Sequence, residues 1–396
     1  MIKDAEKIRA YRLHAHHLDE KVPPSGLWEE AGACGLQNSP PGAWETALFN
    51  RAYGCSLLEL QDILYKEKSL LQAWSFRGAP VVFPTSESDV FLTALMAREG
   101  EQPWIYTSGI AAALDFLGMS FEQVYDLMRK AVGYLDCHTV KSKETLDQVL
   151  AGIVWKELPA EKQVLWNAPS MYGRPDRQTV GGAAVSFLLR PCSFDSLVVF
   201  GERQGISPVF TSFRNWTGLV PEKRESAEKE LVRKFLHCYG PATVNHFGEW
   251  LGCSPAQARR LWSTIEEEMV RLNVMGRVCY MLACDAGELE HSVLTGERLL
   301  LLGAHDPYLD MKDKTVILED PGLQKAVWRY AANPGVILKG GRGAGIWKAR
   351  AQNGKLYISM TLFEQFSGEE QKVLKNLAAE YGAFRKLVLK ECTIEA

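Results

Sequence analysis

The side chains best placed to do chemistry in this chain are Gln37, Asn38 and Ser39. They are three consecutive uncharged polar residues between Gly35-Leu36 and a Pro40-Pro41-Gly42 turn. A helical-looking segment, Trp44-Glu45-Thr46-Ala47-Leu48-Phe49-Asn50-Arg51, follows directly. Amides and hydroxyls in such a place do not build a core. They can end one helix and cap the next, as Asn and Ser commonly do. They can also hold a water molecule against a reacting centre, because a glutamine amide both accepts and donates hydrogen bonds. The residues alone leave both readings open.

Other candidates are weaker. His14, His16 and His17 cluster near the N-terminus but fall on a helical pattern, where solvated or partly buried imidazoles are expected rather than metal ligands. The nine cysteines are scattered, odd in number and form no Cys-x-x-Cys pair, so reduced thiols are expected. No metal and no cofactor is expected. Basic residues gather around Arg174 and Arg177 and between Lys339 and Arg350, where Arg342 and Lys348 stand as candidates for a nucleic-acid stripe. In Ser254-Pro255-Ala256-Gln257-Ala258-Arg259-Arg260-Leu261 a Ser cap and a first-turn proline precede two arginines. That suits the second, groove-entering helix of a helix-turn-helix. A net charge of −3 does not advertise nucleic acid, and a solvated surface is the alternative for each basic segment.

These groups need a frame to hold them. The chain has 396 residues, enough for two to four domains with substantial cores. Its 46% hydrophobic and 23% charged residues are ordinary for a globular protein. No apolar run reaches the length of a membrane span and no secretory h-region opens the chain, so a cytoplasmic protein with no membrane partner is expected.

Apolar spacing divides the chain into four stretches. Residues 1–103 predict helices over about 4–19, 26–34, 43–53 and 56–66, then a two-strand wing over 70–84. Residues 104–221 repeat the pattern, with helices near 108–116, 120–132, 143–156 and 180–190 and strands at 197–201 and 209–213. Residues 222–295 carry helices at 229–239, from Pro241 to Phe247, and over 254–261. Residues 296–396 change character, with short strands at 299–302, 315–318, 335–339, 345–350 and 355–360, a helix at 368–382 and a last strand at 386–390. The expected fold class is mainly α with β: three tandem winged helix-turn-helix modules followed by a small C-terminal β-barrel.

With these pieces in order, the chain resembles the AlkZ/YcaQ family of winged-helix DNA glycosylases over nearly its whole length. The likeness is carried by Gly35-Leu36-Gln37, Ala47-Leu48-Phe49-Asn50-Arg51 and Trp74-Ser75-Phe76-Arg77-Gly78. It continues in Tyr239-Gly240-Pro241-Ala242-Thr243, Asp306-Pro307-Tyr308-Leu309 and Gly343-Ala344-Gly345-Ile346-Trp347.

The resemblance implies a monofunctional glycosylase without lyase activity. Its partner is duplex DNA containing alkylated purines, some of them bulky or crosslinked, and it works as a monomer. It implies catalytic roles for Gln37, which positions the attacking water, and for Ser39. It adds Asn38 and Arg77 to Arg259, Arg260, Arg342 and Lys348 as DNA contacts. For Asp306 the expected role is structural, bracing the junction between barrel and helix through backbone hydrogen bonds. The family's signature is Gln-x-Gln or Gln-x-Asp, and Ser39 departs from it. A serine brings neither a carboxylate nor the reach of a second amide. The alternative is therefore a non-catalytic winged-helix DNA-binding or lesion-sensing protein that has lost its second catalytic residue.

Overall fold

Ser254 and Pro255 do what their spacing predicts: the Ser254 hydroxyl accepts from Gln257 N at 3.2 Å and proline opens the helix behind it. Local signals of this kind set most of the elements in a computed structural model that describes residues 5–102, 104–172, 178–205, 207–294, 296–329 and 332–395. The expected basic residues Arg174 and Arg177 lie outside the described residues.

The chain begins with helices over Ala5–Ala15 (α1), Leu27–Cys34 (α2) and Ala43–Arg51 (α3), then a short helix over Leu57–Asp62. A hairpin joins Leu70–Trp74 (β1) to Pro80–Pro84 (β2). Four longer helices follow: Trp104–Leu117 (α4), Phe121–Val132 (α5), Lys143–Glu157 (α6) and Val180–Phe194 (α7). They lead to a second hairpin, Val199–Gln204 (β3) with Ser207–Thr211 (β4). Helices over Ala227–Tyr239 (α8), Val244–Leu251 (α9) and Pro255–Ser263 (α10) precede a third hairpin, Met269–Val274 (β5) with Arg277–Leu282 (β6). Its two-residue turn, Met275-Gly276, has φ of +47° and +82°. Positive φ at both positions matches the twist of paired strands, and Gly276 adopts it at no steric cost.

By contact the chain forms two compact units, one of residues 1–63, 232–250 and 265–396, the other of 64–231 and 251–264. In the second unit α4, α5, α6 and α7 surround a core that includes Leu117, Met128, Leu150 and Leu188. Trp74 joins that core, stacked on Phe210 with ring centres 5.1 Å apart.

The first unit is built on a sheet of Leu299–Leu302 (β7), Gly335–Lys339 (β8), Arg342–Gln352 (β9), Lys355–Leu362 (β10) and Val388–Glu395 (β11), with a helix over Gly368–Phe384 (α11). Four leucines in a row form β7 because both faces are covered. Leu299 and Leu301 enter the core with Leu374 and Ala378 of α11, while Leu300 and Leu302 enter the opposite core with Tyr308 and Leu318. A strand buried on both sides reads as continuous rather than alternating apolar sequence.

Two expectations fail here. The sheet order is β11-β10-β9-β8-β7, open at β7 and β11, so the expected barrel does not close. The reason lies in the last connection. α11 carries the chain across one face of the sheet, and β11 returns parallel to β10 instead of antiparallel to the far edge. Residues 315–318, read as a strand, form a 3₁₀ turn at Lys314–Val316, and Val316 is buried against Ile8 and Val274.

Candidate active site

Gly35 ends α2 with φ of +70° and ψ of 150°, backbone that a side chain would oppose. The chain then extends through Leu36 and Gln37, and Gln37 and Asn38 are 9% and 8% exposed. Ser39, Pro40 and Pro41 are exposed, and Gly42, at φ +91°, starts α3. The loop is closed by its own polar groups. Asn38 Oδ1 accepts from Gly42 N at 2.7 Å, and Gln37 Nε2 donates to Ser39 O at 3.4 Å. Asn38, not Ser39, thus serves the start of the following helix. That leaves the Gln37 amide buried beside an exposed Ser39.

α3 is held by more polar contacts than its length would suggest. Glu45, in its first turn and 2% exposed, takes the Arg385 guanidinium and a hydrogen bond from Gln61 Nε2 at 3.2 Å. Thr46 Oγ1 donates to Gly42 O at 3.2 Å. One turn later Asn50 Nδ2 bonds Thr46 O at 3.1 Å and Leu301 O at 3.0 Å, occupying an otherwise open carbonyl on the sheet edge. Arg51 closes the helix. Its guanidinium meets Asp306 side by side, Nη1 to Oδ2 at 2.9 Å and Nη2 to Oδ1 at 2.7 Å, with both side chains at most 2% exposed. Asp306 also accepts from Tyr308 N at 3.1 Å, so a backbone brace is present together with a buried ion pair.

A pocket of about 360 Å³ opens next to the Gln37 loop. Pro40, Pro41 and Thr46 line one side, and Ala304, Trp347 and Arg385 line others. Trp347 is fixed there: its Nε1 donates to Leu302 O at 2.8 Å, and Tyr381 meets its ring edge-on at 5.1 Å. Lys348 lies at the same pocket and is exposed.

The electrostatics around α2 and α3 are unusual for so buried a region. Glu30, on α2, is 3% exposed, and burial pushes its carboxyl up to about 7 despite the nearby Arg51. His17 Nε2 sits 3.3 Å from Glu30 Oε1. His16 is enclosed, its Nε2 without a hydrogen-bond partner, and burial together with Arg51 and Arg12 pulls it well below the ordinary imidazole range. Of the three clustered histidines only His14 is exposed, paired with Asp19 at 2.8 Å.

The sequence-predicted residues are divided between the two units. Gln37, Asn38, Ser39, Arg342 and Lys348 belong to the first unit, whereas Arg77, Arg259 and Arg260 belong to the second. Arg77 sits at φ +56° in the turn between β1 and β2, its guanidinium 5.0 Å from the Phe76 ring. Arg259 points outward from α10, but Arg260 is clamped by Glu101 at 2.6 Å and Glu228 at 2.7 Å. Arg342 is held by Glu364 and by Glu297 at 3.4 Å. Sequence reasoning gave Glu45, Arg385 and Glu30 no role. A first-turn acid is a visible signal for Glu45, but nothing local marks Arg385 or the burial of Glu30.

A loop that buries one amide and offers no carboxylate from its own tripeptide can orient a water but cannot deprotonate it. A family model described as DNA glycosylase AlkZ-like matches residues 31–384. An interstrand DNA cross-link repair glycosylase of Streptomyces sahachiroi is 26% identical over 357 residues, covering 86% of this chain and 87% of the relative. The solved structure of Streptomyces sahachiroi DNA glycosylase AlkZ superposes over the whole of both chains with a TM-score of 0.76 at 24% identity. The chain belongs to the AlkZ-like DNA glycosylase family, enzymes that hydrolyse N-glycosyl bonds.

Proposed function

We propose that this chain is a monofunctional DNA glycosylase that removes cationic N-alkylated purines from duplex DNA and leaves an abasic site. The observation that carries the reading is the Gln37 loop: Gln37, 9% exposed, next to an exposed Ser39, on a backbone fixed by Asn38 and followed by a clamped helix.

The chemistry fits what the loop lacks. An N7-alkylated purine already carries the positive charge of a good leaving group, so its departure needs no general acid. The bond breaks through a cationic sugar, and the remaining tasks are to place a water and to favour positive charge. The Gln37 carbonyl accepts from that water. No lysine nucleophile is needed, hence no lyase step. The cross-link repair name of the Streptomyces relative supports bulky or crosslinked purines as substrates, and the pocket beside the loop supplies room for the modified base.

Three sets of helices each followed by a hairpin support three winged helix-turn-helix modules, 1–103, 104–221 and 222–295, ahead of the C-terminal sheet domain, 296–396. Arg259, with Lys348 beside the pocket, leads the DNA contacts, and Arg77 in the turn between β1 and β2 is a further one. Arg260 and Arg342 already have their charge matched by two carboxylates each. The protein acts as a monomer.

The test is incubation with DNA containing N7-methylguanine, followed by alkali to reveal abasic sites. Gln37→Ala abolishes excision while salt-dependent duplex binding stays within about twofold, and uracil-containing DNA stays intact with either protein. Excision unchanged in Gln37→Ala would overturn the assignment. Absence of excision by the parent protein, with intact DNA binding, would favour the non-catalytic lesion-sensing reading.

A further inference from the structure

Far along the sequence from the Gln37 loop, the second unit contains a larger cavity, about 730 Å³, between α6 and α7. It follows one face of α6 from Lys143 through Asp147, Gly152 and Trp155, and Gln178 and Thr179 close it at the start of α7. It shares no lining residue with the pocket beside the Gln37 loop.

Its lining is built for a specific occupant. Asp147 is 8% exposed and gives Oδ2 to Lys143 Nζ at 2.8 Å. Its other oxygen, Oδ1, is enclosed without a hydrogen-bond partner. A buried acceptor left without a donor is costly, and a donor from a ligand would recover that cost. Lys143 matches the charge of Asp147, and Glu144 adds a second carboxylate to the lining, so the site suits a molecule without negative charge that has a donor beside an acceptor. Trp155, 36% exposed, supplies a flat apolar face two turns along the helix. Gly152 keeps the space between them open, since a side-chain carbon there would meet nothing within 4 Å. A carboxylate, an ammonium and an indole along one groove match a guanine edge, whose ring N–H adjoins a carbonyl, with the ring stacked on the tryptophan. The volume lies within the usual range for small-ligand sites.

We propose that the α6–α7 cavity binds a free guanine-type nucleoside, with Asp147 accepting from the ring N–H, Lys143 donating to the carbonyl and Trp155 stacking on the ring. This site is separate from the Gln37 loop and does not depend on its function.

Titration of the full-length protein with guanosine, followed by calorimetry and by tryptophan fluorescence, tests it. Guanosine binds saturably with one site per chain. 1-Methylguanosine, which lacks the ring N–H, and adenosine bind at least tenfold more weakly. Asp147→Asn lowers guanosine affinity at least tenfold. Gly152→Leu, which fills the groove without touching the ion pair, abolishes binding while circular dichroism stays unchanged. Excision by Gly152→Leu remains at the parent level. Failure of guanosine to saturate, equal binding of 1-methylguanosine, or full affinity in the folded Gly152→Leu protein would each overturn the proposal.

Discussion

Replacing Asp306 with alanine tests whether the helix behind the Gln37 loop depends on its buried ion pair. In the native structure Arg51 makes three hydrogen bonds: to Ala47 O at 3.0 Å and to the two Asp306 oxygens at 2.9 and 2.7 Å. Asp306→Ala removes the last two and leaves a guanidinium 2% exposed without its counter-charge. Losing one partner of a buried pair costs about 3–5 kcal/mol, because the remaining charge stays desolvated. The bond from Tyr308 N to Asp306 adds about 1 kcal/mol. A total of about 4–6 kcal/mol approaches the whole stability of many proteins. Asp306→Asn keeps one acceptor and the shape, so it costs about half as much. Arg51→Met combined with Asp306→Leu removes both charges and recovers most of the loss, as apolar replacements of buried pairs often do. Urea unfolding of the four proteins, followed by fluorescence and by circular dichroism, gives the values, and excision of N7-methylguanine is measured in parallel. If Asp306→Ala shifted the unfolding free energy by less than about 1 kcal/mol, the clamp would not be holding α3.

Three further outcomes are expected. Under the proposed mechanism, Ser39→Asp sets a carboxylate by the developing sugar cation and raises single-turnover excision by about tenfold or more; an unchanged rate would show that position 39 does not face the sugar. Glu30 is held neutral by burial, its carboxyl raised to about 7, while Arg51 opposes and Glu29 adds to the rise and His17 stands at 3.3 Å. Its contribution is complete below the ordinary carboxylate range and is lost as pH climbs to about 7, in total about 3 kcal/mol. Glu30→Gln therefore flattens the fall in urea midpoint between pH 5 and 7, and parallel pH profiles of parent and variant would contradict this. Gly335→Ala brings a carbon to 2.2 Å from Trp347 Nε1 and 2.7 Å from Leu302 O. It lowers stability by about 1–3 kcal/mol and alters the near-ultraviolet signal of Trp347, and an unchanged melting temperature would show that the ring moves aside freely.

Much of this molecule is legible in its sequence where the signal is local. The hairpin at 70–84 and the Ser254-Pro255 helix start follow from turn and cap chemistry within a few residues. The strand assigned to 315–318 fails because a short apolar run does not distinguish a strand from a buried turn. The barrel fails for a different reason. Strand spacing says nothing about where the last strand docks, and the crossover helix α11 decides that. The Gln37 loop was visible as a polar cluster, yet its support was not. Asn50 and Arg51 meet Leu301 and Asp306 across some 250 residues, and no local pattern pairs them.

That separation has a consequence for how the protein is made. Asp306 leaves the ribosome 255 residues after Arg51. At about 5–20 residues per second, α3 waits roughly 10–50 s for its counter-charge. During that interval its arginine lacks its carboxylate partner, and the helix that follows the Gln37 loop lacks its buried anchor. An unfinished chain thus carries α3 without its anchor, and under the proposed mechanism base removal waits for the segment that brings Asp306.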